Sequence, residues 1–186
     1  MKRLQMLMEI AIFASLGVVF DMIIPFKMPH GGSVSLAMLP IFVMAFRHGI
    51  PGGLLTGALV GTLQLFFGPQ ILTLVQPLLD YTLAFALVGV SGIFASVVRK
   101  AAFDGKRGKL IGIVMVATFV GAGLRYLAHV VSGIVFFAEY ADGPVVPYSL
   151  VYNATYMVPS YLLCGIVTAL LFATAPRLLK YSMRGA

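Results

Sequence analysis

Three polar side chains, Asp80, His129 and Asn153, stand inside long apolar runs of a 186-residue chain that is 60% hydrophobic. Ionisable groups at membrane depth cost about 2.5–3.5 kcal/mol on insertion scales, so they face a protein interior or a cavity rather than lipid. Their neighbours are polar or aromatic too. Tyr81 follows Asp80, Arg125 stands one turn before His129, and Tyr152 precedes Asn153. Gln76 lies one turn from Asp80 on the same helical face, and Tyr148 lies five residues before Asn153. A carboxylate, an imidazole, an amide and tyrosines together suit a small cation with hydrogen-bonding edges. Aromatic faces attract cations within about 6 Å, and Tyr81, Tyr126, Phe136, Phe137 and Tyr148 can supply them. Each polar residue also has a plain structural role open to it. Asp80 could pair with Arg125, His129 could bond between helices, and Asn153 could open a helix.

The elements that must position these groups are helices. About 20 residues at 1.5 Å each cross roughly 30 Å of hydrocarbon. Six apolar segments fit that length or part of it: about 4–24, 36–46, 51–67, 72–98, 110–137 and 149–179. The expectation is therefore an all-α membrane protein, a six-transmembrane-helix bundle forming one domain over 1–186. The second segment is too short for an upright span, so it is tilted, partly re-entrant or extended by the loop before it. Pro159 is expected to kink the last helix. Counted from its outer end near Leu72, the fourth helix places Asp80 eight residues in. Counted back from Phe137, the fifth places His129 eight residues in. Both lie roughly 12 Å deep, so the two groups share a level.

Composition excludes other classes. A mean hydropathy of +1.01 with 10% charged residues is foreign to a water-soluble domain. The net charge of +7 does not mark a nucleic-acid binder, because the basic residues sit between apolar spans rather than along one face. They mark topology instead. Lys2, Arg3, Arg47, Arg99, Lys100, Lys106, Arg107, Lys109, Arg177, Lys180 and Arg184 fall on one side, and Lys27 alone on the other. Lys and Arg collect on the cytoplasmic side, so both termini are expected there. The Arg99–Lys109 region can also meet anionic lipid. The first segment begins like a signal peptide, but Glu9 and Asp21 interrupt it and it lacks a clear cleavage site, so it reads as a retained helix. Cys164, the single cysteine, reads as a packing residue.

Two stripes of small residues bear on packing. Gly49, Gly53, Gly57 and Gly61 recur every four residues, which lets another helix approach closely. Ala11 and Ser15 make a second stripe on the first helix, suited to packing within the bundle or to docking a membrane partner. Catalytic signatures are missing: no His-Glu-x-x-His, no paired cysteine ligands, no Gly-x-Ser-x-Gly. The stretch 105–110 is only a faint phosphate loop, with Leu110 where Ser or Thr belongs. A chain of this kind that moves solute uphill draws its energy from an ion gradient or another subunit.

Four stretches taken together resemble one family. They are Met28 to Ser35 (MPHGGSVS), Leu79-Asp80-Tyr81, Arg125 to Gly133 (RYLAHVVSG) and Tyr148 to Tyr156 (YSLVYNATY). They are similar to the thiamine-specific substrate-binding (S) components of energy-coupling factor (ECF) vitamin transporters, in order and over nearly the whole chain. The resemblance implies a six-helix bundle in the cell membrane that binds thiamine from outside. It implies association with a transmembrane T component and two ATPase subunits, no cofactor and no enzymatic activity. By position it implies ligand contacts at Asp80, Tyr81, His129, Tyr148 and Asn153, with Gln76 beside Asp80, and T-component docking near Ala11 and Ser15. Some members carry Glu where this chain has Asp80, and some use pocket tryptophans, of which this chain has none. Phe137 is the expected substitute. The alternatives are an S component for another vitamin, such as riboflavin or a pyrimidine precursor, and an intramembrane enzyme using Asp80 and His129 as acid and base.

Overall fold

The computed structural model describes residues 2–23, 27–29 and 31–180; Pro25, His30 and Arg184 lie outside them. The chain is helical: α1 Lys2–Ile23, then Met38–Gln64, which folds back on itself and supplies α2 (38–48) and α3 (50–64). It continues as α4 Leu78–Phe103, α5 Arg107–Phe136 and α6 Val145–Thr174. Among the described residues five stretches, Met38–Gln64 counted once, are long and apolar enough to cross a membrane. Their outward faces carry Ile12, Val19, Ile93, Phe119, Val131 and Val151, all exposed, as lipid contact requires. Phe42, Phe46, Phe85 and Phe172 fill the core between them.

The fold-back at residue 49 follows from local chemistry. Gly49 takes φ 74° and ψ −166°, a conformation open to glycine, and Pro51 then occupies the first turn of α3, where its missing N–H is harmless. In a straight helix residues eight apart would be separated by about 12 Å. Here a methyl built on Gly53 would lie 2.7 Å from the Ala45 side chain. A methyl on Gly17 of α1 would meet both the Ala37 carbonyl and Val60, at 3.3 and 2.7 Å. The two arms are therefore antiparallel, and α1 packs over both.

The glycine stripe of α3 is consumed inside the bundle. A methyl on Gly57 would stand 2.1 Å from the Phe85 carbonyl oxygen, and one on Gly61 would stand 2.2 Å from that of Tyr81. Gly89 and Gly53 meet backbone to backbone in the same way. This contact brings α4, with Asp80 and Tyr81, directly against α3. The first helix uses Ile10, Ala14, Gly17 and Val18 inward, leaving Ala11 and Ser15 exposed.

Some helix ends depart from the sequence expectation. The fourth helix begins at Leu78, not near residue 72, because 69–75 is an irregular loop closed by Gln76. It also runs on to Phe103, past the expected 98. Asp80 thus sits in the first turn of α4, on a π-helical stretch, Leu78–Leu83, and not eight residues deep in a helix. The last helix starts at Val145 and stops at Thr174, since Pro176 pushes Ala175 out of the helical region. Pro159 stays within it.

At the end of the bundle remote from Asp80, charges hold the elements together. Arg47 makes a bidentate pair with Glu9 of α1 at 2.7 and 2.8 Å. Its Nη1 donates to the carbonyls of Leu178 and Lys180, both at 2.7 Å, and Arg99 donates to the Arg47 carbonyl at 3.3 Å.

Gly57→Leu is expected to destabilise the bundle by more than the roughly 1–3 kcal/mol of ordinary overpacking, since its side chain would meet backbone. Gly112→Leu, where a methyl meets nothing within 4 Å, is the control and should be tolerated. Thermal unfolding in detergent reads both; equal midpoints would contradict this packing.

Candidate functional site

Where α1, α4, α5 and α6 converge with the loops 27–35 and 67–76, they enclose a cavity of about 210 Å³. Asp80 lies in its wall and is nearly buried. Three protein donors reach its carboxylate: Gln76 Nε2 at 2.7 Å and Ser132 Oγ at 2.7 Å on Oδ2, and His129 Nδ1 at 3.2 Å on Oδ1. A carboxylate offers about four lone-pair sites, so one remains for a donor from the cavity.

The sequence left open a bridge between Asp80 and Arg125. The structure puts His129 between them. Arg125 donates from Nε to His129 Nε2 at 3.1 Å, which leaves Nδ1 as the protonated nitrogen that faces Asp80. Both ring nitrogens are therefore engaged by protein, and His129 offers its ring rather than a free nitrogen. The Arg125 guanidinium lies 3.7 Å over the Phe85 ring, a cation–π contact that holds it at the cavity floor.

Gln76 does two jobs. Besides Asp80 it ties the loop before α4, donating to the Gln70 carbonyl at 3.2 Å and accepting from the Leu72 amide at 3.1 Å. Tyr81 joins the same loop by accepting from the Gln70 amide at 2.8 Å. Loop closure and carboxylate placement are thus one network.

The third wall is α6. Tyr148, Tyr152 and Tyr156 rise along one face at four-residue spacing, with rings 5.8 and 6.3 Å apart. Asn153 lines the cavity, but its Nδ2 donates to the Ser149 carbonyl at 2.8 Å and its Oδ1 accepts from the Tyr156 hydroxyl. Close approach of α5 and α6 depends on Gly133, where a methyl would stand 2.2 Å from Ser149 Oγ. Above the tyrosines lies the loop 27–35, closed by a bridge between Lys27 and Ser33. Tyr152 donates to the Gly31 carbonyl at 2.9 Å, and Gly32 packs on the Tyr156 ring.

Asp80, Tyr81, Gln76, His129, Phe137, Tyr148 and Asn153 all line this one cavity. Tyr126 and Phe136, offered as aromatic candidates, do not; the Tyr126 hydroxyl bonds the Leu150 carbonyl on the exposed side. Asp21, Gln64, Gln70, Tyr152 and Tyr156 line it as well. The i, i+4 recurrence of tyrosine from Tyr148 was a signal for the last two. Ala11 and Ser15 are not part of it; the Ser15 hydroxyl donates to the Ala11 carbonyl at 2.9 Å. Among the described residues no cluster could hold a metal ion.

A helical bundle with an apolar exterior and a walled polar cavity at one end is a membrane protein built to bind a small polar ligand. The chain belongs to the thiamine transporter protein family, whose model matches residues 7–180. It is 53% identical to the thiamine transporter ThiT of Bacillus subtilis over 184 residues, 96% of each chain. It is 30% identical to ThiT of Lacticaseibacillus paracasei, over 95% of this chain and 91% of that one. A solved structure of ThiT from Listeria monocytogenes superposes with a TM-score of 0.90 at 32% identity, covering 96% of this chain and 99% of that one. The family comprises transporters, not enzymes.

Gln76→Leu is expected to loosen the loop and strip one donor from a buried carboxylate, a loss of about 1–3 kcal/mol. Hydrogen exchange of the 69–76 amides should speed up by about tenfold or more, while α2 stays protected. Unchanged exchange would separate the loop from the carboxylate network.

Proposed function

We propose that this chain is the thiamine-binding subunit of an ATP-driven ECF-type importer in the bacterial cytoplasmic membrane. The observation that carries the reading is the Asp80 carboxylate, held by three donors with one lone-pair site left, among the aromatic side chains that line the cavity. Thiamine is a cation with an aminopyrimidine at one end and a thiazolium at the other. Its exocyclic amine suits the remaining site on Asp80. Its aromatic rings suit His129, Phe137, Tyr81 and the Tyr148–Tyr156 ladder. Asn153 and His129 fix the floor on which the pyrimidine edge rests.

In this reading α2 and α3 count as two spans, giving six, with both termini cytoplasmic. Support comes from the charges. Arg47 meets the chain's last described residues, and Arg99 meets Arg47, at the end away from the cavity, where the basic loops also lie. The cavity then faces outward, and the loop from Lys27 to Ser35 lies over it as a lid, held by Tyr152. The chain carries no phosphate loop, so a T component and two ATPase subunits supply the energy. The exposed pair Ala11 and Ser15 on α1 is the docking face for the T component, because small residues let a partner helix approach.

Asp80→Asn should weaken thiamine by about ten- to a hundredfold, the loss of a charge-assisted bond of roughly 1.5–3 kcal/mol. Equilibrium binding to the purified variant reads it; unchanged affinity in folded protein would take Asp80 out of the site. Replacing both Ala11 and Ser15 by Trp should leave binding intact and abolish uptake by cells. Uptake at the normal rate would move the docking face elsewhere.

A further inference from the structure

The reading of the cavity as a thiamine site accounts for its floor and for the α6 wall, but not for two polar residues opposite. Gln64, on the last turn of α3, is 7% exposed, lines the cavity, and its Nε2 has no hydrogen-bond partner among the described residues. A buried amide N–H without a partner is costly and uncommon in native proteins. Asp21, on the last turns of α1, lines the same cavity. Its Oδ1 accepts from Ser33 Oγ at 3.0 Å, and Oδ2 has no partner among the described residues.

The register places the two side by side. Gly17 of α1 packs on Val60 of α3, and both helices run toward the cavity end. Asp21 is one turn beyond Gly17, and Gln64 one turn beyond Val60. Gly61 faces the Tyr81 carbonyl, so Gln64 lies roughly 3 Å nearer the mouth than Asp80.

We propose that Asp21 and Gln64 form a second recognition point, specific for a free alcohol at the far end of the ligand from Asp80. The chemistry matches group by group. A hydroxyl donates one hydrogen bond and accepts up to two. Asp21 Oδ2 is an acceptor without a donor, and Gln64 Nε2 is a donor without an acceptor. Thiamine carries such an alcohol, its hydroxyethyl arm, on the thiazolium ring. Asp80 and Arg125 stand together at the floor, so Asp21 is the carboxylate placed to face the thiazolium end, with Lys27 also in the lining. The same carboxylate repels a phosphate ester of that alcohol. The site thereby selects the free vitamin over its phosphorylated forms.

The test is equilibrium binding by the full chain in detergent to three probes: thiamine, thiamine monophosphate, and the analogue with ethyl in place of hydroxyethyl. Gln64→Leu and the nearly isosteric Gln64→Met should weaken thiamine by about tenfold and leave the ethyl analogue unchanged. Asp21→Asn should narrow the preference for thiamine over its monophosphate by a similar factor. The ratio of two probes on one variant is read on folded protein only, so lost stability does not mimic the effect. Variants that weaken thiamine and the ethyl analogue equally, or that leave thiamine and the monophosphate preference untouched, overturn this inference alone. Wild-type protein that binds none of the three overturns it together with the thiamine reading.

Discussion

A carboxylate placed inside a membrane protein must be solvated by protein, and most of the local architecture around Asp80 serves that requirement. A buried ion costs several kcal/mol unless its lone pairs are satisfied. Gln76, Ser132 and His129 satisfy Asp80, and each demands something of its own element. Gln76 reaches it from one turn earlier and in doing so ties down the loop before α4. Ser132 and His129 can reach it only if α5 crosses close by. The π-helical stretch of α4 turns Asp80 toward both, and such stretches recur at functional sites. Arg125, stacked on Phe85, then sets the tautomer of His129.

The glycines are the complement of that network. Lipid gives helices no hydrophobic reason to associate, so backbones must come close enough for dispersion to hold them. Gly53, Gly57 and Gly61 bring α3 within backbone contact of α4. Gly133 does the same for α5 against α6, where Ser149 and Asn153 stand. Glycines join the helices of the cavity walls, and the short loop bonded by Tyr152 lies against them.

Much of this was legible in the sequence, for physical reasons. Apolar length marks helices whatever their partners, and the stripe from Gly49 to Gly61 announced a close helix contact. Asp80 and His129 were paired by counting depth along two helices. The pairing is real, yet the count began at Leu72, in a loop that Gln76 closes, and the helix starts at Leu78. A π-helical turn and a side-chain-closed loop are tertiary outcomes with no local signature. The reversal at Gly49 needed only its glycine and the following Pro51 to be read as a turn. Asp21 and Gln64 were silent because a polar residue near a helix end is ordinary. Only the packing of Gly17 on Val60 brings the two together. His129 and Asn153 were expected to contact the ligand; both line the cavity, and their nitrogens have protein partners that no spacing rule announces.

What the cavity holds, on the proposed function, is thiamine itself, unaltered. The most direct measurement is native mass spectrometry of the full chain purified in detergent from cells grown with thiamine, with none added afterwards. The expected result is one bound molecule per chain with the mass of intact thiamine, released unchanged on denaturation. A chain that emerges empty, or that carries a ligand of another mass such as a flavin, would contradict it.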